Sequence, residues 1–439
     1  MLFQGKIEYL KNTIDDLEGI RGYGKILQVI GLLIESSGPS VAVGDVCKVY
    51  PKQNRHPYLA EVVGFREDRV LSMPLGDMYG IAPGSDIVAL GEQFSILVSD
   101  DMLGRVLNGL GEPFDNCGMI SGGITQSVYQ NPPHPLQRHR ITEPVSTGIR
   151  TIDGLLTLGK GQRVGIFSGS GVGKSTLLGM IAQNTNADVN VIGLVGERGR
   201  EVRDFIEKEL GESGLKRSVV VVATSDQPAL VRVKSALVAT TIAEYFRDQG
   251  LDVMLMMDSL TRVATALREI GLAIGEPPTT RGYTPSVFAF FPRLLERAGT
   301  AATGSITGMY TVLVEGDDMN EPIADSARGI LDGHIVLSRR LASAGHYPAI
   351  DVLESISRTM NEITTADHRE CASKFLDILA TYKEAEDLIN IGAYVKGSNP
   401  KIDESLQKID RINVFLRQGI EEKSDLKNSI AKMMDVIKN

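Results

Sequence analysis

Residues 163–184 read RVGIFSGSGVGKSTLLGMIAQN. An apolar run of strand type precedes a glycine-rich turn, and a stretch of helical type follows it, which is the context that a phosphate-binding P-loop requires. The glycines let the backbone curl so that successive N–H groups point inward, and the helix N-terminus adds partial positive charge. We therefore predict a phosphate site built from eight consecutive residues: Gly169, Ser170, Gly171, Val172, Gly173, Lys174, Ser175 and Thr176.

Two side chains of this turn have definite expected roles. Lys174 would reach the β- and γ-phosphates of a nucleoside triphosphate, and the Ser175 hydroxyl would bind Mg²⁺. Ser168 stands where the usual signature begins with glycine, but serine is small enough for the loop to close. The alternative is a glycine-rich turn that binds nothing, and the strand before it and the helix after it argue against that reading.

Two further motifs follow apolar runs of strand type. Asp258 ends the run LDVMLMMD, and we expect it at the end of a strand beside the P-loop strand, where it would help to hold Mg²⁺. Glu197 follows VNVIGLVG, and hydrolysis needs a carboxylate that orients and polarises a water. The forked cation of Arg198 suits phosphate oxygens. A solvated charge cluster that opens a helix is the alternative for residues 196–201, and spacing alone does not decide.

The pattern of apolar runs, helical stretches and turn residues along the chain predicts an α/β fold in four segments. Residues 94–367 alternate apolar runs with helical stretches, which is typical of a mostly parallel sheet with helices outside. Residues 22–93 contain short β-rich runs broken by Gly, Pro, Asp and Asn, which favour a small antiparallel β-barrel. We expect residues 1–21 to form a short amphipathic helical arm and residues 368–439 to form a C-terminal helical domain.

The composition excludes several classes of protein. The 439 residues are 42% hydrophobic and 23% charged, a composition that argues against a disordered chain. The net charge of −9 gives no support for a surface that binds the phosphates of a nucleic acid. The three cysteines form no CxxC pair, so neither a zinc cluster nor a disulfide framework is indicated. We find no apolar run of membrane-spanning length and no secretory cleavage site, and we expect a cytoplasmic protein.

Over residues 24–365 the chain resembles the catalytic-subunit branch of the rotary and type III secretion ATPases. Within that group, the stretches GDDMNEPIAD and ASAGHYPAID most resemble the flagellar protein-export ATPases, and the virulence injectisome ATPases are similar to nearly the same degree. The resemblance is carried by these stretches: GRVLNGLGEPFD (104–115), PVSTGIRTIDGLLTLGKGQRVGIF (144–167), VGERGREV (195–202), DSLTR (258–262), PPTTRGYTPSVFAFFPRLLERAG (277–299), VEGDDMNEPIAD (314–325) and YPAIDVLESISR (347–358).

This resemblance implies a fold and a set of site residues. The fold is an N-terminal β-barrel, a RecA-like nucleotide domain and a C-terminal helical domain, assembled as a six-membered ring with ATP at the subunit interfaces. In the family pattern, Glu197 orients the attacking water, Arg198 contacts the γ-phosphate region and Glu201 helps to hold the waters of Mg²⁺. Arg262 lies near the γ-phosphate, Arg358 reaches as a finger into the neighbour's site, and Tyr347 stacks on adenine.

The function that the resemblance implies is Mg²⁺-dependent ATP hydrolysis that energises type III export of flagellar proteins. The implied partners are further copies in a homohexamer, a stator-like regulator at the N-terminal arm, a stalk-like coiled coil, the export gate and chaperone–cargo complexes, with no nucleic acid. The implied location is the cytoplasm, peripherally associated with the inner-membrane export apparatus. Four alternatives stay open: an injectisome ATPase, an F- or V-type synthase catalytic subunit, a hexameric nucleic-acid translocase and a non-hydrolysing nucleotide-binding scaffold.

Overall fold

The structure is a computed structural model, and it describes residues 22–52, 56–314, 316 and 318–438. The described chain forms two compact units. The first comprises residues 22–95 and 270–276, and the second comprises residues 96–269 and 277–438. The predicted N-terminal arm, residues 1–21, lies outside the described residues.

The first unit contains a closed antiparallel barrel of six strands. Its order around the barrel is β1, β2, β5, β4, β3 and β6, and β6 closes on β1. Alternate side chains point inward and form a small apolar core that includes Ile26, Ile34, Val49 and Ile87. The predicted antiparallel barrel is therefore confirmed. The strands are β1 (Tyr23–Ile30), β2 (Leu33–Ser36), β3 (Asp45–Tyr50), β4 (Tyr58–Arg66), β5 (Arg69–Pro74) and β6 (Asp86–Gln93).

The second unit is built on a mostly parallel sheet, as the alternating pattern predicts. Its strand order is β19, β18, β12, β17, β15, β13, β14 and β8, with β16 paired to β17. Only the pairs β18–β19 and β16–β17 are antiparallel. These strands are β8 (Val106–Asn108), β12 (Arg163–Ser168), β13 (Val189–Glu197), β14 (Ser218–Thr224), β15 (Asp252–Asp258), β16 (Gly299–Thr300), β17 (Ser305–Leu313), β18 (Gly333–Leu337) and β19 (Ile350–Ser357).

Four short strands pair outside this sheet. They are β7 (Ser95–Val98), which pairs with β9 (Ile124–Ser127), and β10 (Pro144–Val145), which pairs with β11 (Leu158–Gly159).

The order of the central strands corrects one expectation. The sequence predicts the strand that carries Asp258 beside the P-loop strand, but β17 lies between them and pairs in parallel with both. The sequence could not show this, because the buried strand 305–313 is as apolar as its neighbours and parallel strands are ordered by their crossovers. The two strands still end at the same edge of the sheet, so Asp258 remains close to the P-loop.

Helices cover the sheet and form the C-terminal segment. They are α1 (Arg150–Leu155), α2 (Lys174–Asn184), α3 (Gly199–Asp204), α4 (Gly211–Leu215), α5 (Ala229–Asp248), α6 (Leu260–Ile274), α7 (Pro285–Leu295), α8 (Pro322–Ile330), α9 (Arg339–Ser343), α10 (Met360–Ile363), α11 (Ala366–Asn390), α12 (Pro400–Leu416) and α13 (Leu426–Lys438). A π-helical turn, Phe205–Leu210, joins α3 to α4, and short 3-10 turns lie at Asp100–Met102, Pro135–Gln137 and Thr280–Gly282. No helix of the described ranges is both long and apolar enough to cross a bilayer.

The three C-terminal helices share one apolar core with the mostly parallel sheet of the second unit. Beneath them lies α1, whose Arg150 N–H donates to Gln418 Oε1 at 2.8 Å and whose Gly154 carbonyl lies 2.7 Å from His368 Nε2. The rings of Phe375 and Phe415 meet edge to face at 5.3 Å between centroids. The predicted C-terminal helical architecture is confirmed, and its packing ties α11, α12 and α13 to the segment just before the P-loop.

Candidate active site

The glycine-rich turn has the predicted form. Strand β12 ends at Ser168, the turn crosses the sheet edge, and α2 begins at Lys174. Gly171 and Gly173 have φ of +78° and +90°, a left-handed conformation that side chains with a Cβ rarely adopt. A Cβ on Gly173 would also lie 3.4 Å from the Tyr347 ring. Glycine at these positions therefore lets the loop curl closely around the start of α2.

The turn forms one wall of a cavity of about 1010 Å³. The opposite walls come from the end of β13 and the start of α3, from one face of α6, and from the segments around Tyr283 and Leu313. Most of the predicted site residues line this cavity: Gly169, Ser170, Gly171, Gly173, Lys174, Ser175, Thr176, Glu197, Arg198, Glu201 and Arg262.

Four predicted site residues do not line the cavity. Val172 points into the core under the loop, and Asp258 lies buried beneath Lys174. Tyr347 packs beside Gly173 with its ring about half exposed. Arg358 is exposed just after β19, and within the described ranges its hydrogen bonding is limited to the backbone N–H, which lies 3.0 Å from the Asp332 carbonyl oxygen.

Lys174 connects two carboxylates at the bottom of the cavity. Its Nζ makes a short ion pair with Asp258 and lies 3.8 Å from Glu197 Oε1. Asp258 Oδ1 also accepts a hydrogen bond of 2.7 Å from Thr311 Oγ1 on the intervening strand β17. Strand β17 therefore separates the two predicted strands and also fixes the carboxylate that holds the P-loop lysine.

Glu197 has the electrostatic setting of a general base. Burial, and after it the neighbouring charge of Asp258, raise the pKa of Glu197 to about 7, while Lys174 opposes the rise. The protonated Glu197 donates a hydrogen bond to Glu201, and this bond lowers the pKa of Glu201. A carboxyl that titrates near neutral pH accepts and returns a proton at small cost, which is what water activation requires.

Two arginines flank this carboxyl pair. Arg198 is exposed, and its Nη1 donates to Glu201 Oε1 at 3.4 Å. Arg262 projects from α6 past Gly196, which has φ of +70° and whose Cβ, if present, would lie 3.1 Å from the arginine stem. The buried Nε of Arg262 has no hydrogen-bond partner in the described part of the chain. An arginine held in this way keeps its donors for a ligand in the cavity.

The structure adds residues that the motifs did not single out. Glu209, in the π-helical turn, accepts a hydrogen bond of 3.2 Å from Thr176 Oγ1 of the P-loop. The lining of the cavity also includes Arg268, Arg281 and Tyr283. Arg268 carries no motif in the sequence, and its place on α6 six residues after Arg262 is a finding of the structure. No sequence signal marks Glu209, because the π-helical turn shifts it off the ordinary helical spacing.

The oxygen donors of the cavity fit Mg²⁺. Among the residues that the structure describes, no cluster of three or more His, Cys, Asp or Glu forms a closed metal cage. Mg²⁺ usually binds through one or two carboxylates together with waters and substrate phosphates, so a closed cage is not expected. The exposed Ser175 hydroxyl and the Glu201 carboxylate line the cavity, and the Asp258 carboxylate lies buried beneath Lys174, so these three side chains supply hard oxygen ligands near the foot of the P-loop.

Comparison with protein families agrees with this architecture segment by segment. Residues 148–357 match the ATP synthase alpha/beta family, nucleotide-binding domain, and residues 26–91 match the beta-barrel domain of the same family. Residues 364–435 match the T3SS EscN ATPase C-terminal domain.

Individual relatives match along nearly the whole chain. The "Flagellum-specific ATP synthase" of Bacillus subtilis (strain 168) is 57% identical over 99% of this chain and 99% of its own length. The "Type 3 secretion system ATPase" of Xanthomonas euvesicatoria is 50% identical over 95% of this chain and 94% of its own length.

A solved structure agrees with the fold as well. The assembled ATPase EscN of the enteropathogenic E. coli type III secretion system superposes with a TM-score of 0.90, at 47% identity over 94% of this chain and 100% of the EscN chain. The resemblance seen in the sequence is confirmed, and the chain belongs to the ATP synthase alpha/beta family, within the group of flagellum-specific ATP synthases and type 3 secretion system ATPases.

Proposed function

We propose that this chain is the ATPase of a flagellar type III export apparatus, which hydrolyses ATP to ADP and phosphate. One observation carries the proposal: the P-loop faces a partly buried glutamate with a pKa raised to about 7, Glu197, across the Lys174 ammonium. The flagellar assignment is supported by 57% identity to the Bacillus subtilis protein, against 50% to the Xanthomonas type 3 secretion system ATPase.

Nucleotide binding begins with an exchange of partners at Lys174. The γ-phosphate oxygens compete with Asp258 and Glu197 for the ammonium, because a phosphate oxyanion is a strong charge-assisted acceptor. Lys174 then grips the phosphates and releases both carboxylates. Ser175, Asp258 and Glu201 would hold Mg²⁺, which neutralises charge on the β- and γ-phosphate oxygens when it is bound.

Hydrolysis requires a water in line with the γ-phosphate and a group that takes its proton. Glu197 orients this water and accepts the proton as the oxygen attacks phosphorus. Arg262 and Arg198 donate hydrogen bonds to the oxygens on which negative charge accumulates. The half-exposed ring of Tyr347, packed against Gly173, offers a flat face on which adenine stacks.

A neighbouring copy of the chain completes the site. The guanidinium of Arg358 is exposed, lies outside the cavity of its own chain and makes no hydrogen bond or ion pair with any described residue. We place it in the adjacent protomer's cavity as an arginine finger, in a homohexameric ring. EscN, the structural neighbour, was solved as an assembled ATPase.

The partners and the segment boundaries belong to the same proposal. EscN was also solved in complex with its central stalk EscO, and that structure superposes with a TM-score of 0.87. We assign a stalk-like coiled coil, the export gate and chaperone–cargo complexes to the helical segment 368–439, and a stator-like regulator to the arm 1–21. The other two segments of the chain in this proposal are the barrel, residues 22–93, and the nucleotide-binding segment, residues 94–367. The ring would work in the cytoplasm, peripherally on the inner-membrane export apparatus.

The deciding experiment compares the purified wild-type chain with the Glu197→Gln variant. We expect the wild type to hydrolyse ATP without other proteins, with specific activity that rises steeply with protein concentration. Glu197→Gln removes the base and is expected to lower turnover by at least about 10²-fold while ATP binding persists. The control is Glu212→Gln, which changes an exposed glutamate in α4.

Two results would count against the proposal. Unchanged turnover in Glu197→Gln would exclude Glu197 as the base. Activity that appears only after a second nucleotide-binding subunit is added would point to a synthase-type ring instead of a homohexamer. In a flagellated host that lacks its own export ATPase, the wild-type chain should restore filament export and Glu197→Gln should not.

A further inference from the structure

The cavity extends well beyond the phosphate loop. Its lining includes Lys174, Glu197 and Arg262, and it also includes three residues that the proposed hydrolysis does not use, Arg268, Arg281 and Tyr283. We call these last three residues the outer arginine site. This part of the cavity therefore has no role in the reaction described above.

Helix α6 carries one arginine of each group. Arg262 and Arg268 lie six residues apart, about 9 Å along the helix axis at 1.5 Å per residue. Thr261 and Thr265 line the same wall. An anion that moves along this wall from Arg262 therefore passes from one guanidinium to the next.

Arg268 is fixed in place but keeps its donors. Its guanidinium carbon lies 5.2 Å from the centroid of the Tyr283 ring, and that ring is buried. Apart from this stack, Arg268 makes no hydrogen bond or ion pair within the described residues. A guanidinium stacked on an aromatic ring still presents its in-plane N–H groups at the edge, where they suit a tetrahedral oxyanion.

The charge of the cavity favours an anion. Among the residues that the structure describes, six cationic side chains line it against three carboxylates. The cations are Lys174, Arg198, Arg262, Arg268, Arg281 and Arg339, and the carboxylates are Glu197, Glu201 and Glu321. Arg281 is already paired, with its Nη2 at 2.9 Å from Asp318 Oδ2, whereas Arg268 has no acidic partner among the described residues. Of the two arginines of the outer arginine site, Arg268 is therefore the one whose charge is not paired within the described residues.

We propose that Arg268, supported by Arg281, forms a second oxyanion subsite that receives inorganic phosphate after hydrolysis. This inference rests on the proposed ATPase function and adds a route for its product. Phosphate released from Lys174 and Arg262 is held at the outer arginine site before it reaches solvent. Phosphate added to the medium occupies the same subsite while ADP remains at the P-loop.

Direct titration tests the subsite. Inorganic phosphate is titrated calorimetrically into the full chain saturated with ADP and Mg²⁺, for the wild type and for the variant Arg268→Gln. We expect phosphate affinity to fall by about tenfold in Arg268→Gln, the loss of one charge-assisted hydrogen bond, while ADP affinity changes by less than about twofold. Arg268→Lys, which keeps the charge without the planar fork, should give an intermediate phosphate affinity.

Two further variants make the test specific. Arg293→Gln removes an equal charge from an exposed position of α7 that does not line the cavity, and phosphate affinity should stay at the wild-type value. Arg281→Gln provides a second probe of the subsite if Arg268→Gln fails to fold, and it should also weaken phosphate. Thermal unfolding by circular dichroism shows which variants are folded.

Three outcomes would overturn the subsite. Phosphate affinity could be unchanged in Arg268→Gln, or phosphate and ADP affinity could fall together, which would place Arg268 in the nucleotide site. If Arg268→Gln no longer forms oligomers while its phosphate affinity is unchanged, the outer arginine site binds an acidic group of a neighbouring copy instead of phosphate. The titration does not depend on turnover. If the wild-type chain does not hydrolyse ATP and Arg268→Gln still weakens phosphate binding, the result contradicts only the ATPase proposal.

Discussion

Lys174 holds together a buried carboxylate, Asp258, and a partly buried one, Glu197, which would otherwise repel each other. It pairs with Asp258 and lies 3.8 Å from Glu197, so its positive charge offsets part of the negative charge of the two carboxylates. In the proposed mechanism a γ-phosphate displaces these contacts, and the displaced carboxylates are the groups that the proposed hydrolysis uses. At the scale of single residues, nucleotide binding and activation of the base are therefore linked through one ammonium group.

The raised pKa of Glu197 predicts the pH dependence of the reaction. Glu197 accepts a proton only when it is ionised, and its pKa of about 7 means that the ionised fraction declines as pH falls through 7. We expect kcat/KM for ATP to decrease by about tenfold per pH unit below this midpoint. Steady-state rates between pH 5.5 and 8.5, read with a pH-independent phosphate assay, measure it.

Glu201→Gln tests the cause of that midpoint. The Glu201 carboxylate accepts the Glu197 proton and so favours the protonated form, whereas a neutral amide favours it less. The midpoint should move to lower pH in Glu201→Gln, whatever happens to the maximal rate, and should stay in place in Glu212→Gln. A midpoint that does not respond to Glu201→Gln would show that the two carboxyls do not share a proton.

Removing the Lys174 ammonium should cost stability as well as nucleotide affinity. Lys174→Ala leaves Asp258 buried without its cation, which we expect to lower the free energy of unfolding by about 3 kcal/mol. Adding Asp258→Asn removes the uncompensated charge and should restore much of that loss without restoring ATP binding. Urea denaturation and nucleotide titration of both variants separate the two effects. Equal stability of the single and double variants would show that the ion pair contributes little.

At the scale of elements, the segment α3–π-turn–α4 clamps the P-loop helix. Glu209 accepts from Thr176 Oγ1 at 3.2 Å, and its carbonyl accepts from Gln183 Nε2 at 2.6 Å. Between these contacts Gly179 has no Cβ, so the backbone of the π-helical turn comes close to α2. A π-helical turn adds a residue to the helix and rotates the later residues about its axis, which brings Glu209 over α2.

Glu209 is expected to act as a positioning residue through Thr176. Glu209→Ala removes the acceptor and should raise KM for ATP by about fivefold, the value of one hydrogen bond, with a smaller change in kcat. Glu209→Gln keeps an acceptor oxygen and should recover most of the affinity. Steady-state kinetics of the two variants measure the split. If Glu209→Gln were as impaired as Glu209→Ala, the hydrogen bond to Thr176 would not be the cause.

The close packing at Gly179 gives a matched pair of glycine variants. A Cβ at Gly179 would lie 2.7 Å from the carbonyl oxygen of Glu209, whereas a Cβ at Gly329, also in a helix, would meet nothing within 4 Å. We expect Gly179→Ala to destabilise the protein by about 1–3 kcal/mol through overpacking. Gly329→Ala should be neutral or stabilise by up to about 1 kcal/mol, because alanine favours the helix. Chemical denaturation compares them, and equal values would argue against a tight α2 contact.

At the scale of the whole molecule, the proposed site is unfinished in a single chain. Arg358 lies outside the cavity of its own chain, and its guanidinium makes no hydrogen bond or ion pair among the described residues. In a head-to-tail ring each cavity would receive this residue from the next copy. The rate then depends on assembly, and two defects on different chains can compensate each other.

Mixing two inactive variants tests this arrangement. Glu197→Gln chains keep the finger and Arg358→Ala chains keep the base, so an interface between them can hold both functional groups. In a random equimolar mixture about one quarter of head-to-tail interfaces combine the two, and we expect roughly that share of wild-type ATPase activity. The measurement is ATP turnover of the mixture against each variant alone.

The control for mixing is the double variant Glu197→Gln/Arg358→Ala combined with Arg358→Ala, which offers no finger at any interface and should stay inactive. Sedimentation should show that Arg358→Ala still forms oligomers. Arg358→Ala that hydrolyses ATP at the wild-type rate would exclude the finger, and inactive mixtures of well-assembled rings would exclude its action between chains.

Much of the fold could be predicted from sequence because it depends on local patterns. The alternation of buried strands with helices between residues 94 and 367, the short strands before it and the P-loop itself all leave periodic or glycine-based signals. The same holds for Glu197 and Asp258, which end apolar runs and therefore stand at strand ends. The close likeness of long stretches to one ATPase family then assigned roles to residues such as Arg358 that carry no local signal.

Local sequence sets where the strands and helices form and which side chains end them, because backbone propensity and hydrophobic periodicity act over a few residues. Long-range packing was needed to place β17 between the strands of the P-loop and Asp258, and to bring Thr311 against that carboxylate. It also brought Glu209 onto Thr176 and Arg268 into the cavity. These contacts depend on strand order, a π-helical turn and packing between distant segments, which are set by burial and crossovers across the entire fold.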